Sequence, residues 1–149
     1  MQDKKYILRT PHDPFDITPY KDLHAHIGKN VGNLVYVGGV TRALMVTDNT
    51  TFEQTKHRFI YTDEEIDRIN QTCDGLIISL ADAIRPNYIA RMKNMTDLIR
   101  RLKIPCVVIG CGVRAKLEPE KDFGFPFDDD VRDFFSAVLD KSAIIGLRG

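Results

Sequence analysis

Apolar and polar positions alternate along the chain in two periods, one typical of strands buried on both faces and one typical of amphipathic helices. Continuous apolar runs of strand length occupy 74–80, 104–110 and 143–147. Each gap between these runs holds a helical pattern, because apolar side chains recur about every 3.6 residues in 87–102 and again in 128–142. The pattern therefore predicts strands that alternate with helices.

Further elements are predicted on the amino-terminal side of the first run. The segment 57–61, HRFIY, has the composition of a short strand. A helix should follow it, because Thr62 and Glu65 have the spacing of a capping box. Another helix is expected from about Val31, and the prolines and glycine of 118–127 predict an irregular loop.

These elements together predict the fold class. Strands that are apolar on both faces need helices on both sides, and strand–helix alternation makes the sheet parallel. We expect an α/β, Rossmann-like parallel sheet of at least four strands with helices on both faces, in one domain that spans residues 1–149. Seven aliphatic side chains should be buried in it: Ile77, Ile78, Val107, Val108, Ile109, Ile144 and Ile145.

Composition removes several classes of protein. Lysine plus arginine and aspartate plus glutamate both number 21, and no basic stripe alternates with aromatics, so a nucleic-acid partner is not expected. Two of the three cysteines lie in or beside an apolar run rather than at metal-ligand spacing, which favours reduced, buried thiols. The chain shows no segment typical of a signal peptide and no apolar run of 18 residues, so we expect a cytoplasmic protein without a transmembrane segment.

The loops that follow the strands are the candidate binding site, because ligands of parallel sheets bind beyond the carboxyl ends of the strands. Four segments qualify by position: 28–33, 80–86, 110–116 and 147–149. The first holds a cluster of glycines and asparagines: Gly28, Asn30, Gly32 and Asn33. Amides at the start of the following helix favour a phosphate or carboxylate there, although a tight turn with an asparagine cap explains the same residues.

Charged residues and glycines mark two of the other loops. Asp82 and Arg85 follow one apolar run, and Arg114 follows the next. A guanidinium can hold a phosphate or carboxylate with two hydrogen bonds, although a salt-bridged surface arginine is an equal alternative. Gly110 and Gly112 begin the spacing of a dinucleotide fingerprint, but irregular chain follows where the fingerprint needs a helix, so neither NAD nor FAD is expected.

Two clusters of potential metal ligands have simpler explanations. The three aspartates of 128–130 suit the first turn of a helix, where acids cap the amides and complement the dipole. His24 and His26 alternate like two ligands but lack a third at usable spacing. No metal site is therefore predicted, and no catalytic triad is evident from spacing alone.

Four stretches in the same order resemble the amino-terminal half of the polysaccharide pyruvyl transferase family: GKNVGNLVYVGGVTRAL, CDGLIISLADAIRPNYI, LIRRLKIPCVVIGCGVRA and FSAVLDKSAIIGLRG. The resemblance runs from about Gly28 to Gly149. It implies transfer of the enolpyruvyl group of phosphoenolpyruvate, the donor substrate, to sugar hydroxyls of a cell-surface glycan or sugar-lipid, which gives a pyruvate ketal, with no cofactor. It also implies two Rossmann-like halves, as in GT-B glycosyltransferases, with the active site between them.

The family's functional positions transfer to this chain one by one. Its glycine-asparagine loop falls on 28–33, its strand-end glycines on Gly110 and Gly112, and its arginine after the last strand on Arg148. Asn33 stands where the family often has an acid, which weakens a general-base role for this loop. The resemblance identifies no catalytic residue here.

The resemblance implies a carboxyl-terminal half that this chain does not contain, so we expect the chain to be incomplete as a catalyst. Two alternatives stay open. One is the acceptor-binding half of a GT-B-type glycosyltransferase. The other is a non-catalytic binding module of the same fold.

Overall fold

The structure of the protein is a computed structural model that describes residues 3–10, 15, 17, 19–26, 32–45, 49–114 and 126–148. At four of these positions only the backbone is described: His24, His26, Asn33 and Leu34.

One sheet of five parallel strands organises the described chain. The strands are β1 (Lys4–Arg9), β2 (Thr50–Gln54), β3 (Gly75–Ser79), β4 (Cys106–Cys111) and β5 (Ile145–Leu147). Their order across the sheet is β2-β1-β3-β4-β5, and every neighbouring pair is parallel. The predicted α/β, Rossmann-like fold class is confirmed.

Helices connect the strands on both faces of the sheet. They are α1 (Tyr20–His26), α2 (Gly32–Leu44), α3 (Asp63–Thr72), α4 (Ile89–Arg101) and α5 (Asp128–Leu139), and a 3₁₀ turn (Pro86–Tyr88) precedes α4. The connection from β1 to β2 runs in one direction across the sheet and the later connections run in the other. Because such crossovers are right-handed, α2 lies on one face and α3, α4 and α5 lie on the opposite face.

The main core lies between the sheet and helices α3, α4 and α5. The strands contribute inward side chains that are almost completely buried: Ile7, Leu76, Ile78, Cys106 and Val108. The helices cover them with large apolar side chains: Ile69, Met92, Met95, Ile99 and Phe134. The capping box predicted at the start of α3 is present, because Thr62 Oγ1 accepts from the Glu65 amide and Glu65 Oε2 accepts from the Thr62 amide.

The burial predicted for the apolar strands is only partly correct. Ile77, Ile78 and Val108 are buried, and Val107 and Ile145 are half-buried. The prediction is wrong for two isoleucines: Ile109, which is 37% exposed, and Ile144, which is 69% exposed. Ile144 adjoins the edge strand β5, and Ile109 points away from the main core. The described helix on that face is α2, which connects β1 to β2 at the other end of the sheet, away from Ile109.

The prediction of a strand at 57–61 is wrong. This segment forms a turn in which Phe59 has a φ of 59°, and the strand lies earlier, at β2. The prediction also missed β1, whose lysines interrupt the apolar pattern. Both lysines form ion pairs with acidic residues from neighbouring parts of the fold. Lys4 Nζ lies 2.8 Å from Asp74 Oδ1, and Lys5 Nζ lies 3.0 Å from Glu53 Oε2.

Candidate functional site

The order of the strands reverses between β1 and β3. The chain goes from β1 outward to β2 and then crosses back to form β3 on the other side of β1. In doubly wound sheets the ligand crevice opens beyond the carboxyl ends of the strands at such a reversal. The side chains that follow β1 and β3 are therefore the first candidates for a binding site.

Arg9 is the last residue of β1, and hydrogen bonds fix its guanidinium at this reversal of the strand order. Its guanidinium donates to the Ser79 carbonyl and, at 2.9 Å, to the Tyr88 hydroxyl, and it also hydrogen-bonds to the Tyr36 hydroxyl on α2. Burial raises the pKa of Tyr36 above its usual value, so the hydroxyl stays protonated. Three elements thus fix one guanidinium at the switch point.

Asp82, Arg85 and Arg114 come together at the ends of β3 and β4, and we call them the edge triad. Arg85 Nη1 lies 3.5 Å and Arg114 Nε lies 4.0 Å from Asp82 Oδ2. Two guanidiniums share one carboxylate, which leaves the triad with a net positive charge. The Nε–H of Arg85 is buried and has no hydrogen-bond partner among the described residues. A buried donor of this kind is rare in native proteins, because its desolvation is not compensated.

Backbone hydrogen bonds hold the loops after β3 and β4 together. The Gly112 amide donates to the Ala81 carbonyl at 2.8 Å, and the Ile84 amide donates to the Gly112 carbonyl at 3.1 Å. The Arg114 amide then donates to the Ile84 carbonyl at 3.1 Å, next to an isolated parallel bridge between Ile84 and Val113. The edge triad is therefore carried by one connected backbone unit.

The two predicted strand-end glycines serve close packing in the structure. Gly110 has a φ of +69°, and a Cβ there would lie 3.0 Å from the Leu80 carbonyl oxygen. A Cβ on Gly112 would lie 2.8 Å from Cγ of Arg148, whose amide donates to the Cys111 carbonyl at 3.0 Å. Arg148 is thus brought against the loop after β4, and a ligand role for the glycines and for Arg148 stays a prediction.

The glycine-asparagine loop can be followed only at its end. Gly28 and Asn30 lie outside the described residues. Gly32 is the first residue of α2, one position after the predicted start, and Asn33 follows it in the helix. One turn later, Tyr36 reaches Arg9, so α2 begins near the switch point.

The described part of the predicted loop after β4, residues 110–114, is not helical, because Val113 pairs with Ile84. The absence of a dinucleotide fingerprint stays a prediction. The third position of the fingerprint, Ala115, lies outside the described residues. The first turn of α5 carries Asp128, Asp129 and Asp130, as predicted.

Among the described residues, no group of three side chains has the composition of a metal site, and no helix is long and apolar enough to cross a membrane. The three cysteines are free and buried, as expected. Burial raises the pKa of Cys106 to about 12 and that of Cys111 to about 11. Both groups are therefore thiols at neutral pH and poor nucleophiles.

A cavity beside the edge triad was missed by the sequence analysis. Its volume is about 220 Å³, and its lining residues are Arg9, Thr10, Gln54, Thr55, His57, Phe59, Tyr88 and Arg91. It lies at the carboxyl ends of β1 and β2, the two strands that periodicity did not predict. The available sequence signal was the segment KKYILR, in which a short apolar stretch is followed by an arginine and could have indicated a strand with a charged residue at its end. A larger, open cavity of about 580 Å³ runs along α5.

Comparisons with known proteins identify no relative. No family model, no curated protein and no solved structure matches the chain.

Proposed function

We propose that the chain is the Rossmann-like, amino-terminal domain of a polysaccharide pyruvyl transferase-like enzyme. In this proposal the carboxyl edge of the sheet forms one wall of a cleft that binds phosphoenolpyruvate and a glycan or sugar-lipid acceptor. The observation that carries the proposal is the convergence of Arg85 and Arg114 on Asp82. The resemblance of the chain to the family supports it, because the edge triad lies in two of the stretches that carry the resemblance.

The edge triad suits the donor substrate by charge. Phosphoenolpyruvate carries a phosphate and a carboxylate, and guanidiniums bind both groups through paired, charge-assisted hydrogen bonds. Asp82 holds the two arginines near each other while neutralising only one of them. The Nε–H of Arg85 is buried and has no partner among the described residues, so an anion would meet this guanidinium through its Nη groups, one of which faces Asp82.

Pyruvyl transfer needs more than anion binding. A sugar hydroxyl oxygen must bond to the enol carbon that bears the phosphate and lose its proton, and the methylene carbon must take a proton to become a methyl group. The phosphate must then leave, and a second sugar hydroxyl oxygen must bond to the same carbon and lose its proton, which completes the pyruvate ketal. An acid, a base and a water-excluding closure are all required for this sequence. The edge triad supplies positioning and electrostatic stabilisation, so the proposal assigns the remaining groups to a second domain across the cleft.

The proposal is tested by measuring phosphate release from phosphoenolpyruvate in the presence of glycan acceptors. We expect no turnover by the 149-residue chain and turnover by a longer product of the same gene. In that product, Arg114→Gln should lower turnover by about tenfold or more, because it removes a charge-assisted contact to the anion. Arg132→Gln is the matched control, because Arg132 is an exposed arginine of α5 that pairs with Asp129.

Three outcomes would contradict the proposal. Equal turnover by the short chain would show that no second domain is needed. Consumption of a nucleotide sugar without any reaction of phosphoenolpyruvate would favour the glycosyltransferase alternative. Equal losses in Arg114→Gln and Arg132→Gln would separate the edge triad from the chemistry.

A further inference from the structure

The 220 Å³ cavity between β1, β2 and the start of α4 has an unbalanced charge. Two guanidiniums, those of Arg9 and Arg91, and the imidazole of His57 line it, and no carboxylate does. Within the part of the chain that the structure describes, neither arginine forms a salt bridge. Other arginines do, each with an acidic neighbour: Arg68, Arg100, Arg101 and Arg132.

The cationic groups of this cavity are held in place. Arg9 is bound by the Ser79 carbonyl and by the Tyr88 hydroxyl. Arg91 Nη2 lies 3.0 Å from His57 Nε2, which accepts the hydrogen bond because a guanidinium only donates. The guanidinium carbons of Arg9 and Arg91 lie 5.9 Å and 5.7 Å from the centre of the Tyr88 ring. A ligand would therefore meet side chains that are already ordered, and its binding would cost little side-chain entropy.

The helix that borders the cavity adds positive potential. Tyr88 is the N-cap of α4 and Arg91 lies in its first turn, where no side chain caps the helix and no acidic residue occurs. By contrast, α3 and α5 each begin with three acidic residues. An arginine beside the positive end of a helix dipole is unfavourable, and a bound anion would be attracted to both of these positive groups.

We propose that this cavity binds a small oxyanion that carries a phosphate group, either inorganic phosphate or a phosphate monoester of a small molecule. Two fixed guanidiniums, a histidine and a helix start match the geometry and charge of a phosphate. Pockets that hold drug-sized ligands have volumes of roughly 300–1,000 Å³. The smaller cavity therefore favours a compact anion over a nucleotide. This inference does not rest on pyruvyl transfer, because the edge triad does not line the cavity. The two sites adjoin at Tyr88, whose ring centre also lies 5.7 Å from the guanidinium carbon of Arg85.

The test is a titration of the 149-residue chain with inorganic phosphate at constant ionic strength, followed by the NMR signals of the His57 ring protons. We expect a saturable shift of these signals. Arg91→Gln should weaken the apparent affinity at least about tenfold, because it removes a charge-assisted contact. Arg91→Lys keeps the charge but loses the planar fork, so it should also weaken binding while leaving the fold intact. Arg132→Gln, on α5, should bind phosphate like the parent protein.

A second arm identifies the source of the phosphate and separates this proposal from the preceding one. A phosphate monoester that fits the cavity should compete with inorganic phosphate at the His57 signals, and Arg114→Gln should leave this binding unchanged. If Arg114→Gln abolishes the shift while Arg91→Gln and Arg91→Lys do not, the anion binds at the edge triad and the cavity proposal is wrong. The absence of a saturable shift, or equal weakening by Arg132→Gln, would also overturn it.

Discussion

Gly110 shows at the scale of one residue how the edge triad is held. Its φ of +69° lies in the left-handed region, and a Cβ would lie 3.0 Å from the Leu80 carbonyl oxygen. Both conditions are unfavourable for any residue with a side chain. The loop after β4 can therefore pack against the loop after β3 only with glycine at this position.

We predict that Gly110→Ala lowers the free energy of unfolding by about 1–2 kcal/mol, because alanine is strained in the left-handed region. The matched control is Gly39→Ala, since a Cβ on this exposed residue of α2 would have no atom within 4 Å. Alanine in a helix interior should raise the free energy of unfolding by about 0.5–1 kcal/mol. Urea denaturation of both variants checks the pair, and equal effects at the two glycines would contradict the argument.

At the residue scale the sequence predicted correctly where three charged residues of the candidate site would lie. Asp82, Arg85 and Arg114 follow recognisable strands, so their meeting at one edge follows from the parallel sheet. Arg9 and Arg91 were missed, because their proximity depends on which strands are neighbours. Hydrophobic periodicity carries no information about strand order.

At the scale of elements, β2 illustrates what periodicity does not capture. It is an edge strand of mixed polarity whose residues are half-buried or exposed. Glu53 joins it to its neighbours, because its carboxylate pairs with Arg68 of α3 and lies 3.0 Å from Lys5 Nζ of β1. Hydrogen bonds and ion pairs of a polar side chain therefore help to hold β2 in the sheet, and the apolar pattern from which a strand is usually predicted is absent.

This arrangement predicts a pH dependence of stability. The hydrogen bonds from Arg68, followed by those from Lys5, lower the pKa of Glu53 to about 2 from a usual value of 4.5. Because the folded-state pKa is lowered, the stabilisation is present above pH 4.5 and is lost as the pH falls towards 2. Solvent screening limits it to about 1 kcal/mol or less at this partly exposed site.

We therefore expect Glu53→Gln to be less stable than the parent protein at pH 7 and equally stable near pH 2. Urea denaturation at both pH values measures this difference. Asp67→Asn is a useful control, because Asp67 is an exposed residue of α3 and has no ion-pair partner among the described residues. A difference between parent and Glu53→Gln that persists unchanged at pH 2 would contradict the assignment.

At the scale of the whole molecule, the fold class followed from three strongly apolar strands and the helices between them. The exposure of Ile144 was not predictable from its own run, because an apolar run does not reveal whether its strand is central or at an edge. The same limit applies to the candidate site. The sequence identified loops that lie at one edge, while the strand order determined that β1 and β3 flank the switch point.

The proposed function requires the edge triad to bind the anionic donor. The most direct test is a titration of the 149-residue chain with phosphoenolpyruvate, in which the NMR signal of the Arg85 Nε–H is followed. This buried donor belongs to the guanidinium that would bind the oxyanion, so binding should shift its signal in a saturable way. The shift should be lost in Arg114→Gln and kept in Arg91→Gln. An Arg85 signal that does not move, or that moves equally in both variants, would contradict the proposed function.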